Sequence, residues 1–224
     1  MKKLLLIVLF IVGCNNSTQP NTCSNCIING HVTDSDGNPL DNAAILLTFD
    51  SGMNRLTRMQ MPSTTFTYAL SEESSVLIWI ADMCDDTVKV LVNANQSAGN
   101  YSITWICDDL NGNTVVDGIY KARLAVNDLE IVNNLLLIQD YFPTIEGQNY
   151  HAMTDEDGYF SISGDCLPFG VEYEAADAQG GSLGSFSVPF ITKLWVVHGD
   201  NSTFETEWYA VDSNTGLHVD IQVP

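Results

Sequence analysis

The chain has 224 residues, 45% of them hydrophobic, which is enough for the core of one large or two small domains. Its 28 acidic side chains outnumber the eight basic ones, which gives a formal net charge of −20 at pH 7. Because such a surface repels phosphate groups, the charge argues against nucleic acid as a partner and against docking of the protein surface on anionic lipid. The acidic residues are scattered along the chain, as is typical of solvated strand faces and turns.

The N-terminus has the pattern of an export signal. Lys2 and Lys3 precede an apolar run over residues 4–12. This run is shorter than the about 20 residues that cross a bilayer and has the length of a signal-peptide core. It ends in Ile11-Val12-Gly13-Cys14, which resembles the lipobox of bacterial lipoproteins. The resemblance implies a signal peptide over residues 1–13 and a lipid on Cys14, the new N-terminus; an ordinary secretory signal with an incidental Cys14 is the alternative.

Residues 14–26 follow the predicted lipidation site and are almost entirely polar. Such a segment cannot bury enough apolar surface to order itself, so we expect a flexible tether. The expected location is the cell envelope, outside the cytoplasm, with the outer membrane or cell surface as the expected site. The N-terminal lipid then makes the membrane the first predicted partner. Which membrane face carries the protein is left open.

Alternating apolar residues predict β-strands along most of the remaining chain. Tight hairpin turns are indicated by Asp36-Gly37, Asn111-Gly112 and Asp157-Gly158, because these residue pairs tolerate positive φ. The segment 128–138 is the best helix candidate, but its continuous apolar end fits a buried strand at least as well. The expected fold class is therefore all-β. The apolar faces of the candidate strands are Ala43-Ile45-Leu47-Phe49, Phe66-Tyr68-Leu70, Val76-Ile78-Ile80, Ile103-Trp105, Tyr120-Ala122-Leu124, Val171-Tyr173-Ala175 and Leu217-Val219-Ile221-Val223.

Three short motifs follow the tether, namely Gly30-x-Val32-x-Asp34, Asp36-Gly37-x-Pro39-Leu40 and Ala43-x-Ile45. Together they resemble the start of a carboxypeptidase regulatory-like domain, a small transthyretin-like β-sandwich. The next element of that family is a threonine–aspartate hairpin before a buried aromatic strand. Here it occurs only at residues 154–162, about a hundred residues later, where the family would place it much sooner.

The intervening residues begin with a candidate strand at residues 62–70, and their most recognisable stretch is Asp109-x-x-Gly112-x-x-Val115-x-x-Gly118-x-Tyr120. These residues resemble a second module, the Ig-like domain of the flagellar hook-capping protein. Two departures affect loops: Cys84-Asp85-Asp86 replaces the usual glycine, and Ile106-Cys107 replaces an acidic residue and glycine.

Together the two resemblances imply a domain insertion. An Ig-like sandwich over residues 62–139 would sit within a discontinuous regulatory-like sandwich made of residues 27–61 and 140–224. Insertion is tolerated at an exposed hairpin when the termini of the guest lie close together.

Besides Cys14, the chain contains five further cysteines, and export permits disulfides. Five is an odd number, so at least one thiol stays outside an intrachain bridge. Cys23 and Cys26 have CxxC spacing, but no second CxxC, histidine pair or βαβ pattern accompanies them, so zinc or redox chemistry is the minority interpretation. A disulfide from the tether to the domain, for example to Cys166, is favoured over a zinc or redox site. The connectivity is left open. The possible disulfide cysteines are Cys23, Cys26, Cys84, Cys107 and Cys166.

Calcium is the one cofactor that the sequence suggests. Asp34 and Asp36 lie in one acidic loop and Asp155 and Asp157 in another, and carboxylates are hard oxygen ligands. If the two hairpins meet, they could share an ion. The favoured interpretation is simpler: Asp-x-Asp-Gly is ordinary hairpin chemistry.

No catalytic residue is predicted. The four histidines are isolated from one another in the sequence, and the motifs GxSxG and HxxE are absent. We therefore expect a non-enzymatic envelope protein that serves binding, adhesion or assembly, with a protein or a glycan as its surface partner. Exposed Trp79, Trp195 or Trp208 would favour a glycan-binding protein, and a cleft that joins a histidine to paired carboxylates would favour an envelope hydrolase.

Overall fold

The computed structural model describes residues 7–10, 26–50, 64–116, 118–127, 129–137, 150–176, 182–199 and 202–224. Within these residues the protein is all-β, as expected, and the only helical element is a 3-10 turn at Gly164–Cys166. The strands are β1 (Ile7–Phe10), β2 (Ile27–Thr33), β3 (Ala44–Phe49), β4 (Thr64–Leu70), β5 (Ser74–Ala81), β6 (Thr87–Gln96), β7 (Gly99–Trp105), β8 (Gly118–Val126), β9 (Leu129–Leu137), β10 (Ala152–Met153), β11 (Tyr159–Ser163), β12 (Glu172–Ala176), β13 (Ser182–Ser187), β14 (Ile191–His198), β15 (Ser202–Glu205), β16 (Tyr209–Ala210), β17 (Gly216–His218) and β18 (Ile221–Gln222).

The strands β4–β9 form two facing sheets, called here the central sheets. One has the strand order β1-β4-β7 and the other β6-β5-β8-β9, with antiparallel pairing throughout. Alternate residues of β4, β5 and β8 meet between the sheets, because period-2 side chains of a strand share one face. Trp105 and Phe66 are almost fully buried there, and the Trp105 ring meets the edge of Tyr120 with centroids 5.3 Å apart.

The other strands form the flanking sheets. A five-stranded sheet has the order β10-β3-β14-β15, with β16 also on β14, and a second sheet has the order β11-β2-β17, with β18 also on β2. The strands β12 and β13 form a separate hairpin. The last two strands run parallel to β2, so the C-terminal end of the chain pairs with its first long strand.

Parallel pairing with β2 requires close backbone approach at two glycines. A Cβ on Gly30 would lie 1.7 Å from the carbonyl oxygen of Val219, and one on Gly216 would lie 2.0 Å from that of Ile27. Gly216 also has φ +88°, a conformation that L side chains rarely adopt. Any side chain at either position would therefore push the last strands away from β2.

A single large core fills the flanking sheets and includes Ile45, Phe160 and Val219 from three distant parts of the chain. The strand β3 is buried on both faces, because Ala44 and Leu46 pack in a second cluster with Val197 on the opposite side. Both faces of β3 are thus covered, whereas the alternation of Ala43, Ile45, Leu47 and Phe49 predicts only one.

The central and flanking sheets touch through the start of β8 and through the loop between β5 and β6. Ile119 is buried within the large flanking core, and Met83 packs against that core. A disulfide joins Cys84, in the loop between β5 and β6, to Cys166 in the 3-10 turn, with Cα atoms 5.0 Å apart. The loop that carries Met83 and Cys84 is therefore fastened to the flanking sheets by packing and by a covalent bond.

The predicted alternation is confirmed in β5, and the predicted turns are confirmed as well. Val76, Ile78 and Ile80 are all buried, and the three predicted turn glycines, Gly37, Gly112 and Gly158, all have positive φ. The helix-or-strand segment 128–138 contains the strand β9, so the strand interpretation is confirmed, and burial of its apolar end at residues 135–138 stays a prediction. None of residues 129–132 is buried, because β9 lies at the edge of its sheet.

Most of the predicted export region lies outside the described residues, including Cys14, Cys23 and the rest of the tether up to residue 25. Within the predicted signal peptide, residues 7–10 form β1, which pairs with the outer edge of β4. In the part of the chain that the structure describes, no helix is long and apolar enough to cross a membrane.

Candidate functional site

The first predicted calcium loop is held together by one of its own aspartates. Asp34 Oδ1 accepts the backbone N–H groups of Asp36 at 2.9 Å and Asn38 at 2.8 Å. The Asn38 side-chain amide also donates to Asp34, and these bonds lower the pKa of the Asp34 carboxyl. The ionised carboxylate is therefore stabilised by the hairpin itself, as in an Asx turn.

The second predicted calcium loop repeats this arrangement. Asp155 Oδ1 accepts the backbone N–H groups of Asp157 at 3.0 Å and Tyr159 at 2.9 Å. The two loops are neighbours, because the backbone N–H of Val32 donates to the carbonyl of Gly158 at 2.9 Å. The fold thus brings the two predicted hairpins side by side.

Nearness of the hairpins does not create a ligand set in the described chain. Asp34 and Asp155 use a carboxylate oxygen to close their own turns, while Asp36 and Asp157 are exposed. Among the described residues, no group of three or more histidine, cysteine or acidic side chains is arranged to hold a metal ion. Calcium binding at Asp34, Asp36, Asp155 and Asp157 stays a prediction, tested by thermal unfolding with EGTA and then with millimolar calcium.

Two further loops use the same device. Asp109 Oδ1 accepts the N–H groups of Asn111 and Asn113, each at 2.8 Å, and Asp212 Oδ1 accepts those of Asn214 and Thr215. The dipeptide Asn111-Gly112 indicates the Asp109 turn in the sequence, whereas the Asp212 loop contains no dipeptide of this kind. Asp34, Asp109, Asp155 and Asp212 therefore each close the turn that follows them.

The cysteines divide into bonded and thiol forms. Cys166 is bonded to Cys84 and not to the tether, and Cys26 is also disulfide-bonded. Cys107 is a buried thiol, and burial raises its pKa to about 11. A thiol with so high a pKa is a poor nucleophile, so Cys107 is part of the packing beside Trp105.

The clearest candidate binding surface is the outer side of the sheet β6-β5-β8-β9. The strand register places Val90, Trp79, Arg123 and Val132 in one row across its four strands. Val90 and Val132 are 42% and 39% exposed, and Trp79 is half-buried. We call this row the Trp79 face: an aromatic ring and a guanidinium between two exposed aliphatic side chains.

Arg123 is fixed on the Trp79 face by several partners. Its guanidinium lies 5.8 Å from the centroid of the Trp79 ring, donates to Glu130 at 2.8 Å and donates to Asp85. Lys121 donates to the same oxygen of Asp85 at 2.8 Å. The contacts with Lys121 and Arg123 lower the pKa of Asp85. The planar guanidinium of Arg123 thus contacts a tryptophan ring and two carboxylates at the same time.

The other tryptophans are used differently. Trp208 has the Lys193 ammonium 5.2 Å from its ring centroid, and Lys193 also donates to Glu205. Trp195 packs beside the Ala44 cluster, and Trp105 is a core residue. From the sequence, Trp79, Trp195 and Trp208 are equivalent candidates for glycan binding. The structure distinguishes them by the residues that each ring contacts.

Two histidines meet one carboxylate on an exposed strand face. Asp220 Oδ1 lies 3.3 Å from His31 Nδ1 and 3.6 Å from His218 Nε2, and it accepts the His31 backbone N–H at 3.0 Å. His218 Nδ1 lies 2.7 Å from Asn29 Oδ1. Asn29 and His31 lie on β2, His218 on β17 and Asp220 between β17 and β18, so the group joins β2 to the C-terminal segment.

No protein-family model matches the chain, and no curated protein matches it significantly. The candidate surfaces therefore rest on the geometry above and on the sequence resemblances.

Proposed function

We propose that the protein is a non-catalytic lipoprotein of the cell envelope that serves binding, adhesion or assembly through an exposed sheet face. The lipobox resemblance at residues 11–14 supports the lipid anchor. The Trp79 face supports the binding role, and it is the observation on which the proposal mainly rests. Large aromatic and arginine side chains are the residues that most often dominate the affinity of protein interfaces.

The mechanism is contact with a largely preformed surface. Arg123 is tied to Glu130 and Asp85, so little side-chain entropy is lost when a partner covers it. Val90 and Val132 add exposed apolar area on either side of the Trp79–Arg123 pair. Such a face fits a flat partner that is apolar along its margins and polar in the centre.

The non-catalytic part of the proposal is supported by the work that the polar residues already do. Asp34, Asp109 and Asp155 close turns, and His151 Nδ1 accepts the backbone N–H of Leu47 at 3.0 Å. Asp220 is a single carboxylate on an open strand face, whereas glycoside hydrolysis needs a carboxylate pair across a substrate.

We further propose that the central sheets are an inserted Ig-like domain of residues 62–139 and that residues 27–61 and 140–224 form the regulatory-like host. Two observations support this division. The strands β4–β9 come from one continuous stretch of the chain and pair among themselves, and the two hairpins of the regulatory-like resemblance lie side by side.

The anchor is tested by phase partition of the expressed full chain in a detergent that separates on warming. The wild-type protein should enter the detergent phase, and a Cys14→Ser variant should stay in the aqueous phase because it cannot carry the lipid. Equal partition of the two proteins would contradict lipidation at Cys14.

The binding role is tested by sedimentation of the aqueous Cys14→Ser protein with purified cell-envelope fragments. We expect saturable binding that falls about tenfold or more in a Trp79→Ala variant. Trp208→Ala is the matched control, since it also removes a tryptophan that contacts a cation. Binding that is unsaturable, or equally weakened by both variants, would overturn the role of the Trp79 face.

A glycan partner is the alternative within the binding class, favoured by the half-buried ring of Trp79 on the outer side of the sheet. Affinity electrophoresis in gels that contain neutral polysaccharides tests it directly. Retardation that is lost in Trp79→Ala and kept in Trp208→Ala would identify a glycan-binding protein.

A further inference from the structure

One strand of the central sheets, β1, belongs to the predicted signal peptide. Four strands, β6-β5-β8-β9, face a sheet in which β1 is the third strand beside β4 and β7. Because β1 is residues 7–10, cleavage before Cys14 would remove it. Two strands would then face four, and the outer edge of β4 would be open.

The open edge would lie on the same margin of the central sheets as the edge strand β9. The strands β6 and β7 are joined by a two-residue turn, so they share one margin of the central sheets. The opposite margin is formed by β1 and β9. There Leu129 is 46% exposed and none of residues 129–132 is buried, whereas β4 beside the opening contributes Phe66 and Tyr68 to the core.

The structure also shows what kind of segment fits this margin. The strand β1 has the sequence Ile-Val-Leu-Phe and pairs antiparallel with β4, with Ile7 opposite Ala69 and Phe10 opposite Phe66. An edge strand offers a row of unpaired backbone groups, which an extended segment can satisfy by adding one strand. Uncharged apolar residues suit a site beside Phe66 and Tyr68, where a charge would be desolvated.

We propose that maturation opens a strand-acceptor site along β4, and that the mature protein takes up an extended, uncharged, apolar strand from a partner protein in antiparallel register. This inference rests on the proposed cleavage before Cys14. It concerns a surface distinct from the Trp79 face, which lies on the outer side of the facing sheet. A second copy of the chain is disfavoured as the occupant, because the net charge of −20 opposes self-association.

The test uses the mature lipoprotein in mild detergent and a fluorescent peptide with the sequence of residues 2–10, whose two lysines keep it soluble. Two versions carry a photo-cross-linking residue in place of Leu9 or of Ile7. The register predicts cross-links at Thr67 for the first and at Ala69 for the second. A scrambled peptide controls for partition into detergent, and a Cys14→Ala variant that keeps residues 1–13 should bind at least tenfold more weakly, because its own β1 fills the site.

The outcomes separate the inference from the anchor proposal. The intact mass of the purified protein shows whether Cys14 is the N-terminus. If it is not, the anchor proposal fails. The acceptor site is then tested separately, with a site-specific protease sequence introduced within residues 15–22 that removes the N-terminal segment before the same titration. Saturable cross-linking at Thr67 and Ala69 that shifts with the probe supports the acceptor site. Cross-links elsewhere, equal labelling by the scrambled peptide, equal binding to the Cys14→Ala variant, or a strand-exchanged dimer of the mature protein would overturn it.

Discussion

The central and flanking sheets solve the same packing problem with very different connectivity. The central strands β4–β9 come from the contiguous residues 64–137, and most of them pair with near neighbours in sequence. The flanking sheets close only when β17 and β18 reach β2 from the other end of the chain. Non-local closure costs more chain entropy and forms more slowly, and here it is accompanied by the larger core and by backbones in close contact.

The difference predicts where each region is vulnerable. The flanking sheets depend on a small number of long-range contacts around β2, whereas the central sheets depend on side-chain packing between two local layers. The following predictions separate these two kinds of dependence, beginning with the largest expected effect.

Replacement of Gly30 by alanine should disrupt the flanking sheets. The added Cβ would lie 1.7 Å from the carbonyl oxygen of Val219, so β2 and the C-terminal segment must separate. We expect a loss of about 4 kcal/mol or more in the free energy of unfolding, measured by urea denaturation. Gly99→Ala is the matched control in β7, because its Cβ would only touch the Tyr101 ring at 3.6 Å. Similar losses in the two variants would show that the close approach at Gly30 does not govern closure.

Removal of one buried phenylalanine from each region should separate their stabilities. Phe160→Ala and Phe66→Ala delete side chains that are 1% and 2% exposed, each with an expected loss of about 3–5 kcal/mol. Hydrogen exchange should show lost protection mainly in β2 and β11 for the first variant and in β4 and β7 for the second. Equal loss of protection across the whole chain in both variants would mean that the regions unfold as one unit.

The disulfide between Cys84 and Cys166 links the two regions across 82 residues of sequence. Replacing both cysteines by serine should cost about 2–4 kcal/mol, because the unfolded chain regains the freedom that the bridge removes. We also expect the thermal transitions of the two regions to move apart. Cys107→Ala is the control, since it removes a buried thiol from the central core and keeps the bridge. A single unchanged transition in the double variant would show that packing of Met83 and Ile119 is sufficient to couple them.

The sequence predicts the local features of both regions well. Alternation identifies the buried residues of β5, and the dipeptide Asp36-Gly37 identifies a turn with positive φ. These features depend on residues that are close in the chain, so propensity and periodicity are sufficient to find them.

Features that depend on distant residues are not predictable in this way. The parallel pairing of His218 with Asn29 follows from tertiary packing, and so does the burial of Leu46 on the second face of β3. The candidate site shows the same limit: sequence reasoning singles out Trp79, but the register that places Arg123 beside it is set by pairing between β5 and β8. The partner of Cys166 likewise required the three-dimensional arrangement.

Acid should act with opposite sign on Asp34 and Asp212 of the flanking sheets and on Asp82 of the central sheets, although Asp85 beside Asp82 also has a lowered pKa. In the flanking sheets, hydrogen bonds from Asn38 lower the pKa of Asp34, and backbone hydrogen bonds lower that of Asp212. In the central sheets, burial raises the pKa of Asp82. A carboxyl with a lowered folded pKa stabilises the protein above its unfolded value of 3.8, and this contribution is lost as the pH falls through the folded value. A raised pKa has the opposite sign, because the folded state then binds the proton more tightly and gains stability as the pH falls.

Two asparagine variants convert this difference into a measurement of the melting temperature at pH 6 and at pH 3.5. Asp34→Asn keeps an oxygen that can accept the Asp36 and Asn38 N–H groups, so it should lose less stability on acidification than the wild type. Asp82→Asn removes a group that gains a proton favourably in the folded state, so it should lose more than the wild type. Both shifts should be small, since Asp34 is exposed and Asp82 only partly buried. Shifts of the same sign in the two variants would contradict the opposite pKa changes assigned to Asp34 and Asp82. Shifts of opposite sign would show that the flanking hairpins carry part of the acid sensitivity and that the Asp82 loop partly offsets it.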